Sequence, residues 1–197
     1  RVRQAHTEGI AEFDQLNTAT ILDGHLDVIA SGLTSGAIRV CTLTNHGSGG
    51  NYIGNFPNGP NVDGNIHMNS HAGNAERRKN EYAKNLIWYL DRLKGLVDKL
   101  NTPDPLDPGR TVLDNTTILY TSEMCDGSHV SVAKHINIAG KSTFTYFPFV
   151  MIGGHAGKMK TGGVIETPVG NKDILQTFAH SFGTTYTRGE VLPSMLT

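Results

Sequence analysis

Two short runs, Asn115-Thr-Thr-Ile-Leu-Tyr-Thr-Ser122 and Tyr146-Phe-Pro-Phe-Val-Met-Ile152, constrain this chain most. They are rich in β-branched and aromatic residues and have no helical period, so each reads as a strand buried on both faces. Amphipathic helices stand around them. From Thr18 to Gly36, Leu22, Leu26, Ile29 and Leu33 form a stripe that can face a sheet, with Gly36 as the stop. Asn74 is the expected N-cap of the longest helix, which runs to about Leu100 with Tyr82, Leu86, Tyr89, Leu93, Leu96 and Leu100 on one face. Trp88 reads there as packing. A last helix starts at Asn171 or Asp173, buries Ile174, Leu175, Phe178 and Phe182, and stops at Gly183. With a further strand expected over 37–43 and a short edge strand over 164–167, the pattern predicts an α/β fold, a mostly parallel sheet flanked by helices.

The length of 197 residues suits one domain with a substantial core. Pro103, Pro105 and Pro108 end the long helix and make residues 101–110 a loop inside that domain. The chain opens at Arg1 on what resembles the middle of a helix, so it is expected to be the carboxyl-terminal part of something longer. With 17 basic and 18 acidic residues it has no broad field to gather nucleic acid or an anionic membrane. No apolar run approaches the roughly 20 residues that span a bilayer. Cys41 and Cys125 lack the spacing of a zinc ribbon or a thioredoxin motif and read as two small buried residues, with pairing open if their strands are neighbours.

Chemistry-bearing residues cluster after the first of the two runs. Glu123, Asp126, His129 and His135 follow Ser122 in a glycine- and serine-containing loop. Open α/β sheets bind ligands beyond the carboxyl ends of their strands, where such a loop would sit. A polar loop satisfying its own backbone is the competing account. His46 follows the strand expected over 37–43. His67 and His71 stand four apart near the end of a glycine-, asparagine- and proline-rich stretch over 48–73, and on a helix this spacing would put both imidazoles on one face to chelate a metal. Gly64, Asn65, Asn69 and Gly73 argue against a stable helix there. Residues 155–163, a flexible glycine and lysine loop, lack the pattern of a phosphate-binding P-loop.

Tyr89-Leu-Asp-Arg-Leu93 followed by the proline loop, Leu113-Asp-Asn-Thr-Thr-Ile-Leu-Tyr-Thr-Ser-Glu123, and Phe147-Pro-Phe-Val-Met-Ile-Gly-Gly154 with Lys160-Thr-Gly-Gly163 together resemble a bacterial family of exported proteins known only as a domain of unknown function. The resemblance covers most of residues 18–183 and only the carboxyl-terminal half of such proteins. It implies a periplasmic or extracellular location. More loosely, Thr121-Ser122-Glu123-Met124-Cys125 and the strand ending at Ile152 resemble the alkaline phosphatase and sulfatase superfamily, which implies an alkaline-phosphatase-like fold, here partial. There a strand ends in Thr-Ser-Asp-His-Gly, whose Asp and His bind metal. Glu123 fits the aspartate's place as an oxygen ligand; Met124 departs, because a thioether is a soft, weak donor, so His129 or His135 would have to complete the site.

Two functions follow from this resemblance. One is a non-catalytic exported structural or binding subunit, forming a homo-oligomer or surface assembly or docking the missing amino-terminal segment. The other is a metal-dependent hydrolase of phosphate or sulfate esters, using zinc, calcium, magnesium or manganese and incomplete without its amino-terminal half, since no convincing nucleophile stands in this chain. Glu123, Asp126, His129 and His135 are the candidate metal ligands, with His46, His67 and His71 as further site residues.

Overall fold

The structure, a computed structural model, describes residues 19–44, 56–71, 75–122, 149–164 and 171–197, and follows residues 135–138 and 141–144 as strands. Contacts divide the chain into two compact units, Arg1–Leu106 and Asp107–Thr197, with the boundary in the proline-rich loop.

The first unit is helical. Helix α1 covers residues 19–34, and Gly36, at φ +69°, supplies the expected stop. Its buried seam is Ala19, Leu22, Leu26 and Ala30, while Ile29 and Leu33 are half-buried. Helix α2, Ile66–Ser70, is a single short turn. Helix α3, Glu76–Leu100, begins after Ala75 with no side-chain cap, so the expected cap at Asn74 is corrected by one residue. Tyr89, Leu96 and Leu100 of the expected stripe are buried, and Trp88 with them, as packing. Two ion pairs join α1 to α3: Lys99 with Asp27, and Arg92 Nε with Asp23 at 3.3 Å. The second is too bent to count as a hydrogen bond.

Residues 37–44 are exposed coil rather than a strand, with Val40 86% exposed. A β-branched run gains little from extension without a neighbour to pair with, and none of the described strands pairs with it. Cys41 lies in this coil and is exposed rather than buried.

The second unit overturns the expected mostly parallel, alkaline-phosphatase-like sheet. Strand β1, Ile118–Thr121, pairs with β4, Phe149–Ile152, in antiparallel register from Ile118 opposite Ile152 to Thr121 opposite Phe149. Strands β2, His135–Ile138, and β3, Lys141–Phe144, form a second antiparallel pair. Both described sheets are two-stranded. Parallel pairing needs a long crossover, usually a helix; the described part of the segment between β1 and β4 is a β hairpin instead. β1 and β4 are half-covered rather than buried on both faces. Val164 is exposed coil, and the rest of the expected edge strand lies outside the described residues.

Helix α4, Asn171–Ser181, ends before Gly183 as expected, but its buried face is different. Ile174, Gln176, Thr177 and Ser181 are buried, whereas Leu175 is 46% and Phe182 59% exposed. Gln176 and Thr177 are buried because they hold the chain that follows, while the Ser181 hydroxyl donates back to the Phe178 carbonyl. Gln176 Oε1 accepts from the Tyr186 N–H at 2.8 Å and Thr177 Oγ1 from the Leu192 N–H at 2.9 Å. Met195, fully buried, anchors the end of that tail.

Two substitutions in α3 separate packing from propensity. Leu100→Ala, at a site with no exposed area, is expected to cost about 2–5 kcal/mol. Gly95→Ala is expected to add about 0.5–1 kcal/mol, because a Cβ there meets nothing within 4 Å. Denaturant unfolding followed by helical circular dichroism reads both, and equal effects of one sign would contradict this account.

Candidate functional site

The turn bearing His67 and His71 is built by residues that look like helix breakers. Asn65 is the N-cap of α2, its Oδ1 accepting from the Met68 N–H at 3.2 Å. Asn69 is buried and donates from Nδ2 to the Asp63 carbonyl at 2.9 Å. Asp63 is in turn fixed to α3: its backbone N–H donates to Glu81 Oε2 at 2.7 Å, and its carboxylate pairs with Arg77. Lys84 and the Asp63 N–H hold the Glu81 carboxyl below its ordinary range. The expectation that Asn65 and Asn69 oppose a helix is therefore corrected.

One turn of α2 brings His67 and His71 together. Their Nε2 atoms are 3.0 Å apart, and the rings meet edge to face with centroids 4.7 Å apart and planes at 76°. Both rings are partly buried. A hydrogen bond between the two nitrogens needs a proton on one and a lone pair on the other. A metal ion instead takes a lone pair from each. Two nitrogens at this 3.0 Å separation, each at the roughly 2.0–2.1 Å of a zinc–imidazole bond, subtend about 94° at the ion. That is the angle of adjacent ligands in a tetragonal or octahedral site.

Glu123, Asp126 and His129 lie outside the described residues, as do His46 and Cys125. His135 opens β2, opposite Phe144. The argument that placed these residues at the carboxyl rim of a parallel sheet falls with that sheet. Among the described residues, no group of three or more His, Cys, Asp or Glu side chains is arranged to hold a metal.

One residue of chemical interest was hidden in the glycine and lysine loop. His155 has φ +45° and is followed by Ala156 at +55° and Gly157 at +87°. Its ring lies on Phe182, with centroids 4.0 Å apart, and its Nε2 is closed to water and meets no hydrogen-bond partner. Burial pushes its pKa down, the Lys158 charge adds to this, and the Ser181 carbonyl, accepting from the ring, opposes both. The glycines on either side, Gly153, Gly154 and Gly157, were the available signal of an unusual backbone.

The chain matches no family model, no curated protein and no solved structure.

The loop around His155 is close-fitting. Gly153→Ala would place a Cβ 2.1 Å from the Thr116 carbonyl oxygen and is expected to cost at least about 2 kcal/mol. Ala156→Gly relieves a left-handed residue and is expected to stabilise by up to about 1 kcal/mol. Thermal midpoints of the two variants should move in opposite directions; a shared direction would contradict this reading of the loop.

Proposed function

We propose that this chain is a non-catalytic binding subunit that takes a divalent transition metal on His67 and His71. The observation that carries the reading is the convergence of two Nε2 atoms to 3.0 Å on one short turn. The donor set selects among the metals expected from the sequence. Calcium and magnesium require oxygen ligands, whereas imidazole suits zinc and its neighbours copper and nickel. Two protein ligands leave coordination positions for water or for a side chain of a partner, which fits a binding role. The hydrolase alternative draws no comparable support, since it depends on Glu123, Asp126, His129 and His135 acting together. No described helix is long and apolar enough to cross a membrane, and an exported location rests on the family resemblance.

Titration calorimetry with zinc on the purified chain tests the proposal. The expected result is a zinc-binding event that His67→Ala and His71→Ala each weaken by at least the roughly 10–100-fold seen when only an outer-shell partner of a metal site is lost. Calcium should not compete, and acidification should weaken binding, because ligation requires deprotonated imidazoles. Undiminished zinc binding in both variants would overturn it.

A further inference from the structure

We propose that His155 is an acid-sensitive latch: as a neutral ring it holds the loop over residues 153–160 and the tail over 193–197 together, and protonation releases both. The proposal is independent of the histidine pair on α2.

Four contacts build the latch. The Ala156 N–H donates to the Asp114 carbonyl at 2.8 Å, seating the loop on the turn before β1. The His155 ring is seated against Phe182, just past the end of α4. The tail then closes over the loop. The Lys160 N–H donates to the Met195 carbonyl at 2.9 Å, and the Thr197 hydroxyl donates to the Gly157 carbonyl at 2.6 Å. All of this depends on a backbone held left-handed at two non-glycine residues, an arrangement costing about 1–3 kcal/mol each that persists only where surroundings enforce it.

A proton has no welcome place in this arrangement. Nε2 is shut from water and without a partner. A second N–H, on the buried Nε2, would meet no acceptor among the described residues, and the cation would stand near Lys158. Among the described residues, no countercharge faces it from the elements named above. Ser181 and Phe182 are uncharged, His180 is exposed, and the tail over 193–197 carries no charged side chain. Asp114 presents its backbone carbonyl to the loop while its carboxylate accepts from the Thr111 N–H at 2.8 Å.

The sign follows from linkage. The closed loop binds the proton less well than the open one, so closure is favoured above the ordinary histidine range and is lost as pH falls through it. Asp114, held below its ordinary range by Thr111, stays ionised throughout this window and does not confuse it.

Amide hydrogen exchange of the whole chain between pH 7.5 and 5.0, corrected for intrinsic exchange, tests the latch. A ring that protonates only when open, with an ordinary pKa of about 6.5, raises opening by up to about thirty-fold at pH 5. The rise is expected in residues 156–160 and 195–197, and His155→Phe, which keeps the stacking ring, should abolish it. If that variant does not fold, nuclear magnetic resonance titration of His155 in the unaltered protein decides: protonation below the ordinary histidine range, tracking tail opening, supports the latch. Ordinary or raised proton affinity, or acid opening that survives His155→Phe, overturns it.

Discussion

The stacking of Arg92 on Trp88 organises the first unit. The guanidinium carbon lies 3.4 Å from the centre of the Trp88 ring, and both side chains donate to one acceptor, the Asn58 carbonyl, Trp88 Nε1 at 2.7 Å and Arg92 Nη2 at 3.3 Å. Phe56 closes the same cluster edge-on to Trp88 at 5.4 Å. A stacked, partly desolvated cation of this kind contributes about 0.5–2 kcal/mol, and here it does so where an irregular segment must be tied to a helix. Without that anchor, residues 56–65 would be tied to α3 chiefly through Phe56 and the bonds of Asp63 to Glu81 and Arg77.

From that anchor the geometry of the histidine pair follows by short steps. Asn58 and Asn61 adopt left-handed backbone, which asparagine tolerates better than most residues. The chain then reaches Asp63, whose N–H, carbonyl and carboxylate are each taken by a different partner, Glu81, Asn69 and Arg77. Surface ion pairs alone would be weak support. Buried Asn69 and the backbone bonds carry more of the positioning, because an unmatched buried polar group is expensive.

Helices were legible in the sequence where an apolar period ran long enough. The stripe of α3 and the stops at Gly36 and Gly183 are physical signals that need no tertiary context. The sheet was not legible, because short apolar runs such as Ile118–Thr121 and Phe149–Ile152 declare extension but not the direction of their partner. The face of α4 is not legible for a related reason: Phe182 and Leu175 look like core by composition, yet Thr177 and Gln176 are buried since they bind backbone N–H groups of a later segment. At the candidate site the spacing of His67 and His71 is visible in the sequence, but average propensity misrepresents Asn65 and Asn69. Asn65 caps the turn itself, and the role of Asn69 depends on Asp63 and through it on Arg77 and Glu81 of α3.

The brevity of α2 has a thermodynamic implication. Five residues cannot sustain a helix in water by their own hydrogen bonds, so this turn persists on borrowed rigidity from Asn65 and Asp63. An ion bridging positions four apart would close the same turn covalently in all but name. Helical order and occupancy would then be one variable, and ambient metal concentration would set how stiffly this corner of the molecule is held.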